Sequence, residues 1–320
     1  MFTREVSRNG YCWWYMDAES ADQQHRLTII AFIGSVFSPY YKRARNKSAV
    51  DPLQHCSLNV ALYGANNVWC MTERHREDVE LQPDYMRIGP SSLSYTRSDN
   101  HTGRLTINIE ERAAPIPRRV KGQITVDIQL QTDAQFTLDD NGRHHWWPAG
   151  PNSQVSVQME RPFTQWTGNA YVDMNQGDQP IENDLQYWCW SRFRTASGTQ
   201  IHYDVFNTDS QLSGNPDKAI AVHIGTNSDV QPIKPSTLHE LPRSGWRMRR
   251  HARSDASVPK IISALEDTPF YTRSAVRTGV NQHSVNGINE SVSLTRFNNP
   301  IVQTMLRFRM PRLRWQKRSN

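Results

Sequence analysis

The chain has 320 residues, 37% hydrophobic and 21% charged, with ten Trp and a net charge of +6. That length suits one large or two ordinary domains, and the aromatic stock argues against disorder across the whole chain. The longest apolar run, LTIIAFIGSVF (27–37), falls far short of the roughly 20 residues of a membrane-spanning helix, and no charged-then-apolar leader is recognisable, so neither an integral membrane protein nor a secreted one is expected.

In chain order, YCWWYMDAESADQQHRLTIIAF (11–32) reads as an aromatic strand, a polar turn and a second strand. The turn cluster SDNHTG (98–103) precedes RLTINIEER, where Leu105, Ile107 and Ile109 alternate with Thr106 and Asn108. QITVDIQLQ repeats the pattern with Ile124, Val126, Ile128 and Leu130, and QVSVQME repeats it with Val155, Val157 and Met159. Such period-two alternation predicts half-buried antiparallel strands. DDNG (139–142) and TASG (195–198) add turn signals. WCWSRFRTASGTQIHYDVF (188–206) resembles the first hairpin at an offset of 177, with Cys12 aligned on Cys189. Convincing amphipathic helices are scarce, and the chain reads as all-β. RPFTQW (161–166) supplies a proline break, which places two similar β domains at 1–165 and 166–320.

The four cysteines, Cys12, Cys56, Cys70 and Cys189, lack CxxC spacing and read as free thiols of a reducing cytoplasm. Basic residues cluster in RSGWRMRRHAR (243–253) and in RFRMPRLRWQKRSN (307–320), which holds six Lys/Arg and no acid. Interleaved with Trp, Phe, Met and Leu, such segments suit anionic lipid headgroups or nucleic acid, or are solvated strand faces and a frayed tail. No single-strand-binding or helical reading motif accompanies them, so nucleic acid is not expected as a partner.

GRHHWWPAG (142–150) invites metal or stacking chemistry. On a strand, however, adjacent residues face opposite ways. His144 and Trp146 share one face, while His145 and Trp147 share the other, so the two imidazoles cannot readily hold one ion, and no metal site is expected. In GNAYVDMNQGD (168–178), Tyr171 and Asp173 likewise share a face. If the two faces meet, one pocket holds an imidazole, an indole, a phenol and a carboxyl group, which is an acid site walled by aromatics. The same spacing also fits a tyrosine corner, a turn-capping Asp and a buried Trp beside a hydrogen-bonded His. No nucleophile elbow, catalytic-Cys context or phosphate loop is present.

GYCWWYMDAESADQQHRLTIIAFIGSVFSPYY (10–41), DPLQHCSLNVALYG (51–64), WCMTER (69–74), GRHHWWP (142–148), GNAYVDMNQGDQPIE (168–182) and LEDTPFYTRS (265–274), in this order, closely resemble the carotenoid 1,2-hydratases, also called hydroxyneurosporene synthases, of purple phototrophic bacteria. The resemblance implies two tandem lipocalin-like antiparallel β-barrel domains. It also implies cofactor-free addition of water to the terminal C1=C2 double bond of an acyclic carotene such as neurosporene or lycopene. The family's H-x-W and Y-x-D motifs fall on His144 and Trp146 and on Tyr171 and Asp173, and the flanking Gly142-Arg143 and Pro148 select that register over His145 and Trp147.

That chemistry requires a dry acid to protonate C2, for which Asp173 is the candidate, because desolvation favours the neutral carboxyl. Trp146 and Tyr171 would face the tertiary cation, and His144 would orient the attacking water or else hold Asp173 protonated. A C40 polyene resides in a bilayer, so peripheral contact between a cytoplasmic protein and the anionic photosynthetic membrane is expected, through the two basic clusters. A polyene pericyclase or isomerase, or a carotenoid carrier, would use a similar pocket without the acid.

Overall fold

The computed structural model describes residues 1–2, 4–99, 101–129, 131–207 and 214–315. Asn100 of the SDNHTG turn, Leu130 of the alternating run and the last five residues of the basic tail lie outside them. The chain is all-β in character, as the alternation predicts. Two compact units are present: Met1–Thr137 with Arg143–Pro180 and the segment from Thr304 onward, and Leu138–Gly142 with Ile181–Gln303.

The first unit carries β1 (Tyr11–Ser20), β2 (Arg26–Ile33), β3 (Cys56–Tyr63), β4 (Val68–Arg74), β5 (Val79–Gln82), β6 (Tyr85–Ile88), β7 (Ser91–Arg97), β8 (Gly103–Arg112), β9 (Arg119–Ile128), β10 (Phe136–Thr137), β11 (His144–Arg161) and β12 (Phe163–Gly177), with the helix α1 (Pro39–Arg45). Its sheet runs β4-β3-β2-β1-β12-β11-β9-β8-β7-β6-β5, with β10 paired to β11. The sheet curls toward closure. Arg74 on β4 reaches across to Glu111 on β8 at 3.1 Å, and Ser91 on β7 donates to the same carboxylate at 3.0 Å, all three buried.

Inside lies an apolar core in which Leu105, Ile107, Ile109, Ile124, Val126, Ile128, Val155, Val157 and Met159 all take part, so every described residue of the three alternating runs faces as its period predicts. Turn chemistry holds too: between β7 and β8, Asp99 Oδ1 accepts from the backbone N–H groups of His101 and Thr102 at 2.8 and 2.7 Å. Gly142, at φ 68°, turns the chain immediately before β11.

The second unit carries β13 (Tyr187–Thr195), β14 (Gly198–Phe206), β15 (Lys218–Gly225), β16 (Val230–Pro232), β17 (Thr237–Leu241), β18 (Arg250–Ser254), β19 (Lys260–Asp267), β20 (Tyr271–Val280) and β21 (His283–Ser293). Seven strands form a sheet in the order β16-β15-β14-β13-β21-β20-β19, and β17-β18 is a separate hairpin packed on it. Two helices follow, α2 (Leu294–Phe297) and α3 (Pro300–Arg309). The weak repeat has a topological counterpart: β1 lies between β2 and β12, and β13 lies between β14 and β21, so each unit inserts its Cys-Trp strand between its second and last strands.

The division expected at 165/166 falls inside β12, which pairs with β1 and β11 along most of its length. Pro162 occupies the tip of the β11–β12 hairpin, where no ladder N–H is required of it. A proline break marks a turn as readily as a linker, and here it marks a turn. Apart from Leu138–Gly142, the chain leaves the first unit only after Pro180.

All four cysteines are buried and free. Burial pushes the Cys12 thiol up to about 12 and the Cys189 thiol up to about 11.

Candidate active site

Three neighbouring strands of the first unit, β1, β12 and β11, are buried on both faces where they run side by side. Toward the apolar core point Cys12, Trp14 and Met16, Ala170, Val172 and Met174, and Trp147. By alternation the opposite face carries Tyr11, Trp13, Tyr15 and Asp17 from β1, Tyr171, Asp173, Asn175 and Gly177 from β12, and His144 and Trp146 from β11. Register sets the rows: Tyr11, Gly177 and His144 lie abreast, then Trp13, Asn175 and Trp146, then Tyr15 beside Asp173 and Asp17 beside Tyr171.

All four sequence-predicted residues lie on this face and are buried, and two of them converge on one atom of a third. Trp146 Nε1 and Tyr171 OH each donate to Asp173 Oδ2 at 2.9 Å. Asn175 Nδ2 approaches Asp173 Oδ1 at 3.4 Å. His144 stands one row further on, its Nδ1 hydrogen-bonded to Tyr11 OH at 2.9 Å. That bond crosses Gly177, where a Cβ would lie 2.5 Å from both His144 Nδ1 and Tyr11 Cε1, so only glycine leaves the two rings room to meet. Aromatic rings line the rest: Tyr11 stacks on Trp13 at 5.0 Å, Phe136 packs on Trp146 at 5.3 Å, and Tyr15 meets Tyr171 edge-on at 6.3 Å.

Chemically, this is a buried carboxyl group that accepts from an indole, a phenol and an amide, all uncharged. Burial disfavours its charged form, while indole and phenol hydrogen bonds stabilise the carboxylate once a proton has left. Such a group can pass through both states during a reaction. The second pair of the HHWW quartet plays a different part: Trp147 belongs to the apolar core and meets the His145 ring at a tilt, centroids 5.7 Å apart.

A family model described as the carotenoid hydratase CrtC matches residues 29–319. The chain belongs to the carotenoid hydratase family. It is 44% identical to the acyclic carotenoid 1,2-hydratase of Thiocapsa roseopersicina over 98% of its own length and 75% of that protein. It is 40% identical to the Rubrivivax gelatinosus enzyme of the same name over 97% and 75%, and 33% identical to that of Cereibacter sphaeroides over 89% and 98%. In fold it is similar to a candidate AttH of Nitrosomonas europaea, at a TM-score of 0.60 and 15% identity over 89% of this chain and 92% of that one. CghA solved with Sch210972 follows at a TM-score of 0.54 and 12% identity, covering 89% and 88%.

In this carotenoid hydratase the site extends beyond the two expected motifs. Tyr11, Tyr15, Asp17, Asn175 and Gly177 share the face, and the same period of two that grouped Tyr171 with Asp173 carries on to Asn175 and Gly177. In GYCWWYMD it groups Tyr11, Trp13, Tyr15 and Asp17.

The basic clusters divide otherwise than expected. Arg250 and Arg253 are buried, Arg253 against Asp204. The tail is fastened as far as it is described: Glu73 and residues 311–313 form a parallel bridge through Glu73 N to Pro311 O at 2.9 Å and Leu313 N to Glu73 O at 3.1 Å, with Arg312 beside the Glu73 carboxylate at 3.3 Å. Trp315 N donates to Asp78 Oδ2 at 3.0 Å, and the Trp315 ring lies under Arg87. The backbone and side-chain acceptors offered by Glu73 and Asp78 are what turn a basic tail into a strap.

Proposed function

We propose that the protein adds water to the terminal C1=C2 double bond of an acyclic carotene, of which neurosporene and lycopene are examples, giving a 1-hydroxy carotenoid. The single observation that carries this is the meeting of Trp146 Nε1 and Tyr171 OH on Oδ2 of a buried Asp173. In the proposed reaction neutral Asp173 gives its proton to C2, and the alkene electron pair forms the new C–H bond, leaving a tertiary cation at C1. The electron-rich rings of the aromatic wall attract that cation, each contributing on the order of 2 kcal/mol when desolvated. Trp146 and Tyr171 steady the new carboxylate through their hydrogen bonds.

Water then attacks C1, and His144 takes the proton that the water loses. Its ring is oriented for this by Tyr11. Return of one proton to Asp173 closes the cycle, and alkene plus water balances against one tertiary alcohol with no cofactor. Incubating purified protein with neurosporene or lycopene is expected to yield a product heavier by one water. An isomer of unchanged mass, or carotene bound and recovered unaltered, would contradict the reading.

The carotene has to be reached in a membrane. No helix among the described residues is long and apolar enough to cross one. Helix α3 offers a different contact: Ile301, Met305 and Phe308 are 71%, 39% and 68% exposed. At 100° per residue they fall within one narrow stripe, with Arg307 on one side of it and Arg309 on the other. An apolar stripe flanked by arginine suits shallow burial in an anionic leaflet, the Arg307 guanidinium reaching for headgroups while that of Arg309 lies over the Trp69 ring at 4.5 Å. The reading therefore places the protein in the cytoplasm, peripherally on the photosynthetic membrane, with α3 taking over the contact first expected of the strapped tail.

A further inference from the structure

Beside the proposed acid stands a side chain that the chemistry above does not use. Asn175 is 3% exposed, and its carbonyl oxygen has no hydrogen-bond partner among the described residues. Its Nδ2 faces Asp173 Oδ1 at 3.4 Å, a long bond for an amide donor beside a carboxylate. A buried amide oxygen left unmatched is costly, and an Asn amide is turned end for end by a half-rotation that alters no shape. Turned, it would present Oδ1 to Asp173 Oδ1, which is favourable only when that oxygen carries a proton. Asp173 Oδ2 already accepts from Trp146 and Tyr171, so a proton on Oδ1 displaces neither of these bonds.

We infer that Asn175 is a positioning residue that follows the proton on Asp173, accepting a hydrogen bond from the neutral acid before the reaction and donating one to the carboxylate afterwards. One rotatable amide thereby serves both protonation states of the group beside it. The neutral acid gains a partner that a fixed donor could not give it, and the amide oxygen loses its orphan state. This rests on Asp173 being the acid.

The test is the pH dependence of kcat for the wild type, Asn175→Leu and Asn175→Asp, with Asp173→Asn as the control for the underlying reading. Leucine keeps the volume and removes the acceptor. It removes the donor to the carboxylate as well, and because that charge-assisted bond is the stronger of the two, the alkaline limb is expected to move upward by less than one unit while kcat on the acid plateau falls about tenfold. Aspartate restores an acceptor and adds a like charge, so the two carboxyls share a proton and the limb is expected to move upward. A limb that moves upward by well over one unit in Asn175→Leu would show a donor only, one that moves toward lower pH an acceptor only, and a limb unmoved in both variants packing only; each overturns the inference. Should the leucine variant fail to fold, the aspartate variant decides alone, since an unmoved limb there means that residue 175 does not sense the acid. An active Asp173→Asn would instead remove the reading on which the inference stands.

Discussion

Two buried aspartates illustrate what a partner does to a carboxyl group. Asp204, inside the second unit, is met by the guanidinium of Arg253, with Arg253 Nε at 2.9 and 3.0 Å from its two oxygens and Nη2 at 2.7 Å from the first. Burial raises its pKa and Arg253 pulls it back. The pair is part of a polar interior that also holds Gln200 against His202, and Asn289 between Ser191 and the His251 carbonyl. Asp173, on the outer face of the first unit's sheet, is met by an indole, a phenol and an amide. A fixed cation commits a carboxylate to one charge state and makes it structural, whereas neutral donors leave it able to gain and lose a proton. Equal burial with unlike partners is the basis on which the proposed reading assigns Asp204 to holding the fold and Asp173 to the reaction.

That contrast can be broken from either side. The largest effect is expected from Asp173→Asn, which keeps the shape and removes the proton: kcat should fall by about 10²–10⁴-fold with unchanged near-UV circular dichroism. Arg253→Met should leave a buried, uncompensated Asp204 and cost about 3–5 kcal/mol in a denaturant titration, much of it recovered in Arg253→Met/Asp204→Leu. Trp146→Phe and Tyr171→Phe each delete one hydrogen bond to Oδ2 while keeping the ring, and each should lower kcat by roughly 10–100-fold, the range of a hydrogen bond to a charged group.

Smaller effects follow from the second unit and from α3. Burial, aided by Arg253, lowers the His202 pKa from 6.5 to about 3. The unfolded chain therefore takes up a proton near pH 6.5 that the folded chain refuses until about pH 3, and this contribution to stability is whole above 6.5 and lost as pH falls between the two values. His202→Gln should flatten that acid slope by up to about 1.4 kcal/mol per pH unit, seen in melts across the interval. Last, Phe308→Ser with Met305→Ser should weaken sedimentation with anionic vesicles several-fold, and added salt should weaken what binding remains. Removing the tail would also cut the Glu73 strap, so side-chain changes on α3 give the cleaner comparison.

Much of the fold could be read from the sequence because its signals are local. Alternation placed Ile107, Val126 and Val157 in the core and split His144 and Trp146 from Trp147. What the sequence could not give was partnership across strands. Nothing in RRHAR distinguishes Arg253, folded onto Asp204, from a solvent-facing arginine, and nothing in the tail announces that Glu73 will accept Leu313 N. Proline punctuation misplaced the division between units because Pro162 looks the same at a hairpin tip as at a linker. The site itself was half legible: the resemblance supplied His144, Trp146, Tyr171 and Asp173, and alternation extends that face to Asn175, whereas setting Tyr11 beside His144 required the register that places β1 against β12 and β12 against β11.

The central claim is that an enzyme acid delivers a solvent-derived proton to C2 before water adds at C1. Running the reaction in D2O and locating the label by NMR tests it most directly. The account predicts a 1-hydroxy product bearing one deuterium at C2 from the wild type and none formed by Asp173→Asn. A hydroxylated product without deuterium at C2, or one formed equally fast by Asp173→Asn, would contradict it.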